Sequence, residues 1–391
     1  MKKRKVLFIT PSLCQGGIEH SQITMLKLLD KEKYDITLFL YLEDVTLLPL
    51  VPDYVKVIID RDKSHYYRKP KAIKYVLMKK ICSIYGRKEQ YVNYAEKLRV
   101  FIREERAKHP AKDVFSKERF DVVVSNAIGI CTEMAQYISA EKRYVFFRSS
   151  VDLHHEMLER VFPKYDGIVA VSPGVKEMLQ KSYPDVKEKI VLLENYVDSN
   201  RILTKSAEES EYKFDKGFGN LVIASCGRLS SEKGFDMAAE AAGILKQKGY
   251  LFTWYFVGDG QEREKVEEII SKKSLEKEIY ITGYMNNPFP IMKNCDVYVQ
   301  PSYEESYGRT IKEAMILGCP VVSTATVGGK LLVKHQENGI LTEITPEALA
   351  RGIIEMIENP ELQKKCREYY SLEQNEIEKQ IFKTGLEKLL S

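Results

Sequence analysis

The chain has 391 residues, enough for two domains with separate cores, and its 44% hydrophobic and 30% charged residues are ordinary for a soluble globular protein. No apolar run approaches the length of a membrane span, and the run at residues 6–9 is too short for the core of a signal peptide. Seven cysteines without close pairs and six histidines without ligand spacing predict reduced thiols in a cytoplasmic protein that has no structural metal.

The first 198 residues alternate short apolar segments with helical ones, which predicts a parallel sheet covered by helices. A helix begins at Pro173, with Ser172 as its N-cap. Gly16 and Gly17 open the first helix, where the backbone can approach a phosphate closely. A tight turn that requires glycine is the alternative, because the full dinucleotide fingerprint is missing. Strands are predicted at residues 5–10, 35–41, 55–59, 120–125, 143–147, 166–172 and 189–193, and helices at 18–29 and 129–138.

Residues 61–112 carry most of the positive charge. They hold 16 Lys or Arg against 5 Asp or Glu, a net charge of +11, whereas the whole chain carries +4. Apolar and aromatic residues at helical spacing predict two helices in this basic insert, at about 70–85 and 89–108. Basic amphipathic helices of this kind suit an anionic membrane surface. Two helices packed on the sheet with a solvated basic face are the alternative, and nucleic acid is disfavoured because no recognition motif accompanies the charge.

A second series of strands and helices follows residues 199–218, which are polar, lack clear periodicity and are interpreted as a linker. Arg228 and Lys233 lie in a polar loop directly after the first strand of this series. Two cations at the carboxyl end of a strand can hold a diphosphate and stabilise the charge that develops as it leaves. Strands are predicted at residues 220–226, 252–257, 279–282, 296–300 and 321–324, two helices within 345–369, and a last helix at 372–390.

Residues 301–320 link two strands through a loop and a helix predicted at residues 309–317, which makes one parallel crossover unit. In an open parallel sheet, ligands bind beyond the carboxyl ends of the strands. Glu305 and Gly308 lie in that loop, next to a helix start whose free N–H groups favour a phosphate. Glu313 follows Glu305 by eight positions, and such carboxylates accept hydrogen bonds from neighbouring hydroxyls. Phosphate and hydroxyl groups together point to a sugar nucleotide.

The segment Glu305-Ser-Tyr-Gly, followed by Glu313-Ala-Met and Gly318-Cys-Pro-Val-Val, resembles the donor-binding signature of the retaining glycosyltransferases of family 4. The resemblance implies an α/β protein of the GT-B fold, in which two facing, doubly wound Rossmann-like domains enclose a cleft. It covers nearly the whole chain except the basic insert. The expected parts are an N-terminal acceptor domain at 1–198, a donor domain at 199–371, and a helix at 372–391 that crosses back to the first domain.

The resemblance also assigns residues to the cleft. Catalytic roles fall to Glu305, which would hold hydroxyls of the donor sugar, and to Arg228 and Lys233. In the family a histidine usually follows the strand predicted at 143–147, but Arg148 takes that place here. Arg148, Asp152 and His154 are therefore the candidates for the acceptor or sugar pocket. Donor binding falls to Glu313 on the ribose, Tyr284 on the base, and Gly16, Gly17, Ser306, Tyr307, Gly308 and Arg309.

The sequence therefore predicts an enzyme that moves a hexose or hexosamine from a UDP-sugar to a hydroxyl of a lipid-linked or glycan acceptor, with no metal or other cofactor. The expected setting is bacterial surface polysaccharide or glycolipid assembly in the cytoplasm, with residues 61–112 in peripheral contact with the inner face of the membrane. A non-catalytic sugar-nucleotide-binding partner of another transferase, and a transferase for a soluble protein or glycan, are the alternatives. A Rossmann oxidoreductase is disfavoured because the dinucleotide fingerprint is missing.

Overall fold

The computed structural model describes residues 2–14, 16–60, 70–85, 87–150, 156–210 and 221–391. Within these ranges, the apolar segments of the first half form one parallel sheet in the order β3-β2-β1-β4-β5-β6-β7. Its strands are β1 (Arg4–Thr10), β2 (Tyr34–Leu40), β3 (Lys56–Ile59), β4 (Phe120–Ser125), β5 (Ala140–Phe147), β6 (Gly167–Ala170) and β7 (Ile190–Leu192).

Helices cover both faces of this sheet, and successive residues of β1 show this directly. Val6 and Phe8 belong to the apolar cluster on one face, whereas Leu7 and Ile9 belong to the cluster on the other. Strands buried on both faces favour continuous apolar runs over alternation. The helices are α1 (Gly17–Leu28), α2 (Pro70–Ile84), α3 (Lys88–His109), α4 (Ile130–Ala135), α5 (Glu156–Val161), α6 (Pro173–Ser182) and α7 (Ser199–Ser206).

The second half repeats the architecture. In the part of the chain that the structure describes, its parallel sheet has the order β10-β9-β8-β11-β12-β13. The strands are β8 (Leu221–Cys226), β9 (Phe252–Val257), β10 (Ile279–Gly283), β11 (Val297–Gln300), β12 (Val321–Thr324) and β13 (Ile340–Thr342). The helices are α8 (Phe235–Gln247), α9 (Arg263–Lys272), α10 (Phe289–Asn294), α11 (Arg309–Ile316), α12 (Val327–Leu332), α13 (Pro346–Ile357), α14 (Pro360–Glu368) and α15 (Leu372–Leu390).

Both sheets have the topology of doubly wound α/β domains, because the strand order reverses beside the first strand of each. Strand β1 lies between β2 and β4, and β8 lies between β9 and β11, so the chain continues to one side of each and then crosses to the other. Ligands in such sheets bind beyond the carboxyl ends of the strands at this reversal. The prediction of two Rossmann-like domains is therefore confirmed.

The predicted linker at residues 199–218 is wrong over its first part, which forms helix α7. Asp198 caps this helix by accepting a hydrogen bond from the backbone N–H of Arg201 at 3.3 Å. Ile202 is fully buried, but it is too isolated among polar neighbours to produce a helical pattern in the sequence. Residues 211–220 lie outside the described ranges.

The basic insert forms a helical hairpin in which α2 packs on α3, and α3 packs on α4. Arg103 of α3 donates to Glu133 of α4 at 2.6 Å, which fixes the hairpin to the sheet domain. The apolar cluster of the hairpin is small: Ala72 and Ile102 are buried with Leu98 and Phe101 packed against them, and Cys82 and Ala107 are the other buried residues among those described in α2 and α3. Residues 61–69 of the insert lie outside the described ranges.

Helix α15 starts beside the second sheet and packs against residues of the first half. Its Asn375 is buried and accepts hydrogen bonds from Tyr196 Oη at 3.0 Å and Ser199 Oγ at 2.7 Å. Further along, Phe382 lies against Tyr196 with ring centroids 6.3 Å apart. The helix therefore contacts the first half, while its assignment as a helix that crosses back between domains, and the domain boundaries at 198 and 371, stay predictions.

Candidate active site

A cavity of about 500 Å³ lies between the two sheets, at the carboxyl ends of their strands. It is lined from the first half by loops after β1, β5, β6 and β7, and from the second half by loops after β8, β9, β10 and β11. A site of this size holds a ligand of several rings. The residues named from the sequence that line it are Gly16, Gly17, Arg148, Arg228, Lys233, Tyr284, Glu305, Ser306, Tyr307, Arg309 and Glu313.

Glu305 lies in the loop between β11 and α11 and forms an ion pair with Lys233. Lys233 Nζ donates to Glu305 Oε2 at 2.8 Å, and the side chains are only 25% and 14% exposed. Gly308 caps α11 with φ of +85°, a left-handed conformation that favours glycine. The N–H of Gly308 is directed at Glu305 Oε1 at 3.4 Å. The loop thus brings a carboxylate, a cation and the N-terminus of a helix to one wall of the cavity.

Arg309 and Glu313, one helical turn apart on α11, form a second ion pair. Arg309 Nε donates to Glu313 Oε1 at 2.9 Å, and both side chains are largely buried. Arg309 also reaches across the cavity, where Nη1 donates to Ser21 Oγ of α1 at 3.3 Å. This pair connects the helix predicted to bind the donor with the helix that follows the glycine loop.

Ser306 links the two halves of the protein directly. Its Oγ donates to the backbone oxygen of Arg148 at 2.8 Å, and its own backbone oxygen accepts from Ser172 Oγ at 2.8 Å. The predicted N-cap role of Ser172 is confirmed, since its Oγ also accepts from the N–H of Val175 at 3.3 Å. The neighbouring Tyr307 is buried, and burial followed by the charge of Glu378 raises the pKa of its hydroxyl.

Arg148 is held at the end of β5 by two neutral side chains. Its Nη1 donates to Asn195 Oδ1 at 2.7 Å, and its Nη2 donates to Asn126 Oδ1 at 2.9 Å. The guanidinium also lies 5.0 Å from the centroid of the Phe146 ring. Burial, and then the charge of Arg309, lowers the pKa of Arg148 to about 9, so the group still carries its charge at neutral pH.

Three cations of the cavity wall form no ion pair among the described residues: Arg148, Arg201 and Arg228. Arg201 lies on α7 with its guanidinium 5.6 Å from the centroid of the Phe289 ring. Burial and then the charge of Arg309 lower the pKa of Arg201, so Arg309 is the cation whose charge acts on it. Such a wall favours a ligand that carries several negative charges.

The glycine loop faces this wall from the first half. A side chain at Gly17 would lie 3.6 Å from Arg309 Cδ, which places the loop against the start of α11. His20 also lines the cavity. Burial, and then the charge of Arg201, lowers the pKa of His20 to about 3, so it is neutral at physiological pH.

The structure thus brings the predicted catalytic and donor-binding side chains to one cavity, although their roles remain predictions. Tyr284 lies at its rim and is 51% exposed. Asp152 and His154 lie outside the described residues. Sequence reasoning missed Arg201, which was placed in a linker, and did not include Asn195 in the site. The cap signal of Asp198 three positions before Arg201 could have revealed the helix that positions it.

Two facing parallel-sheet domains with a polar, cationic cleft define the GT-B class of fold. Residues 208–371 match a family model described as "Glycosyl transferases group 1". A structure of Anabaena HepE in complex with UDP and glucose superimposes with a TM-score of 0.68, at 18% identity over 98% of this chain and 97% of that one.

Curated relatives match over part of their length. The lipopolysaccharide core biosynthesis glycosyltransferase LpsE of Rhizobium meliloti is 27% identical over 53% of this chain and 58% of its own length. A Campylobacter jejuni N-acetylgalactosamine-N,N'-diacetylbacillosaminyl-diphospho-undecaprenol 4-alpha-N-acetylgalactosaminyltransferase is 28% identical over 53% of this chain and 55% of its own length. The matches therefore span a little over half the length of these relatives.

Proposed function

We propose that the protein is a retaining glycosyltransferase of family 4 that transfers a hexose or hexosamine from a UDP-sugar to an acceptor hydroxyl. The observation that carries the proposal is the convergence of Arg228, the Lys233–Glu305 pair and the N-terminus of α11 on one cavity. Cations and free N–H groups suit a diphosphate, and paired carboxylates suit sugar hydroxyls. The names of the relatives and the UDP bound to HepE support the same class of reaction.

In the proposed reaction, Arg228, Lys233 and the start of α11 stabilise the negative charge that builds on the diphosphate as its bond to the sugar breaks. Glu305 holds hydroxyls of the donor sugar, and Glu313 holds those of the ribose. The acceptor attacks on the face that the diphosphate leaves, and a phosphate oxygen takes the acceptor proton. The side chains of the protein then bind, orient and exclude water, and no metal or enzyme nucleophile takes part.

The acceptor is proposed to be anionic or membrane-bound, because α2 presents an apolar row to solvent. Ile73, Leu77, Ile81 and Ile84 follow one another at helical spacing and are 45%, 54%, 42% and 78% exposed. Lys74 and Lys80 flank this row and are exposed as well. Aliphatic side chains that insert between lipids, with lysines at their edges, suit the anionic inner leaflet. No helix among the described residues is both long and apolar enough to cross a membrane.

The direct test is turnover. Purified protein is given single UDP-sugars with a bacterial lipid extract, and UDP release and the product are followed by coupled assay and NMR. Retention predicts an α-linked product from an α-linked donor. Failure to release UDP from any UDP-hexose or UDP-hexosamine, with or without the extract, would favour the alternative of a non-catalytic partner. Glycosylation of a soluble protein or glycan in preference to the lipid fraction would overturn the membrane acceptor.

A further inference from the structure

We infer that Arg148 binds a carboxylate of the transferred sugar, so that the donor is a nucleoside-diphosphate hexuronic acid. This inference rests on the proposed function and names the substrate class of the same site. It follows from three features of the residue: its unmatched charge, its unused donors and its place beside Glu305.

The charge of Arg148 is unmatched. Its two hydrogen-bond partners, Asn126 and Asn195, offer amide oxygens that carry no net charge. No carboxylate among the described residues forms an ion pair with it; the charge of Glu19 raises its pKa, but by less than burial and the charge of Arg309 lower it. A guanidinium away from bulk water is costly without a counter-charge, and a side chain that lines a binding cavity can obtain one from the ligand.

The donors of Arg148 are only partly used. A guanidinium has five N–H donors in a fixed plane, and the two asparagines accept from two of its nitrogens. Its Nε is buried and donates to no acceptor in the described structure, and the same is true of Asn126 Nδ2. A carboxylate accepts from two guanidinium N–H groups at once, which makes it the group that best fits the remaining donors.

The position of Arg148 brings it close to the loop that holds the proposed ligand of the donor sugar. Its backbone oxygen accepts from Ser306 Oγ at 2.8 Å, which places the residue next to Glu305, the proposed ligand of the donor sugar. The diphosphate is assigned to Arg228, Lys233 and the start of α11 in the second half, whereas Arg148 belongs to the first half. The asparagines hold Arg148 from the ends of β4 and β7, so its guanidinium is fixed before a ligand arrives.

The inference is tested by binding without an acceptor, using matched donors that differ only in the oxidation of one carbon. Affinities for UDP, UDP-glucose, UDP-glucuronate, UDP-galactose and UDP-galacturonate are measured by calorimetry. The parent is expected to bind at least one uronate on the order of 10- to 100-fold more tightly than its neutral counterpart, which is the range for a charge-assisted hydrogen bond. Arg148→Gln should remove this difference between uronate and neutral donor, and it should weaken the binding of UDP, which has no sugar carboxylate, less than the binding of the uronate.

Asn195→Asp gives a second variant that keeps the size of the side chain. It places a carboxylate on Arg148 Nη1 and should also remove the uronate preference, because the charge is then matched within the protein. Arg119→Gln, at an arginine that is 70% exposed and remote from the cavity, is the control and should bind as the parent does. Two outcomes overturn the inference and leave the proposed function standing. In the first, the parent binds UDP but binds neither uronate more tightly than its neutral counterpart. In the second, the preference for the uronate survives Arg148→Gln. Absence of UDP binding overturns the proposed function itself.

Discussion

Replacing either member of the Lys233–Glu305 pair should have separable effects, because only one of them is proposed to touch the diphosphate. Lys233→Ala removes a cation from the diphosphate and leaves Glu305 as a negative charge in the cavity wall. Glu305→Ala removes the ligand of the sugar and frees the cation. UDP contains no sugar beyond its ribose, so its binding should fall in the first variant and stay the same or rise in the second.

The magnitude follows from the geometry of the pair. A hydrogen bond to a charged group contributes about 1.5–3 kcal/mol, which corresponds to roughly 10- to 150-fold in affinity. Lys233 donates to Glu305 at 2.8 Å in the free protein and must give up part of this bond to bind a diphosphate. We therefore expect a loss of UDP affinity near the lower end, about tenfold, for Lys233→Ala. Turnover of the UDP-sugar should fall strongly in both variants, since each interaction strengthens in the transition state.

The assay combines calorimetric binding of UDP with steady-state release of UDP from the UDP-sugar. Lys265→Ala is the matched control, because Lys265 pairs with Asp236 at the same 2.8 Å outside the cavity. It should change neither quantity. An equal loss of UDP binding in Lys233→Ala and Glu305→Ala, with both variants folded by circular dichroism, would refute the division of roles. Normal turnover by Glu305→Ala would refute the site assignment.

Four further predictions follow from the same geometry. Arg228→Ala should weaken UDP binding as Lys233→Ala does. The double variant should lose less UDP binding free energy than the two single variants together, since both cations contact one ligand. Full additivity would show that the two cations do not share the diphosphate. Activity should survive EDTA, and a loss restored by magnesium or manganese would overturn the metal-free mechanism. Binding to vesicles should require anionic lipid, weaken with salt and fall on changing Lys74 and Lys80 to Glu, whereas equal binding to neutral vesicles would contradict the membrane surface. The pKa of His20 is lowered to about 3 in the folded state. Below about pH 6.5 the unfolded state therefore binds a proton at this residue and the folded state does not. The free energy of unfolding consequently falls as the pH drops below that value. His20→Asn should reduce the loss of unfolding free energy between pH 7 and pH 5 by about 2 kcal/mol in urea titrations, and an unchanged loss would contradict this account.

Much of the fold was predictable because parallel strands buried on both faces leave continuous apolar runs. The predicted strands at 120–125, 252–257 and 321–324 and the helix at 372–390 have the observed bounds. Helix α7 was missed because a short helix with one fully buried apolar residue, Ile202, gives no periodic signal. Its start was marked in the sequence by one residue, Asp198, whose side chain caps the helix.

The residues of the candidate site could be predicted from the sequence, but the contacts between them could not. Loops at the carboxyl ends of parallel strands must meet, so Arg228, Glu305 and the glycine loop could be placed together without coordinates. The ion pairs could not be predicted, because Lys233 and Glu305 lie 72 positions apart in the sequence and their contact depends on side-chain rotamers. The hydrogen bonds of Arg148 to Asn126 and Asn195 could not be predicted either, since these residues follow two other strands.

The loop between β11 and α11 contains residues for two proposed events, donor binding and closure of the cleft. Glu305 faces the proposed sugar site, and the next residue, Ser306, makes two hydrogen bonds to the first half of the protein. Such bonds contribute about 1 kcal/mol each, so together they amount to about 2 kcal/mol. One charge-assisted bond to a diphosphate contributes about as much, and a donor that orders this loop can therefore shift the halves toward the closed arrangement. Water is excluded when the halves meet, so the residue beside the sugar ligand is well placed to make closure depend on the donor.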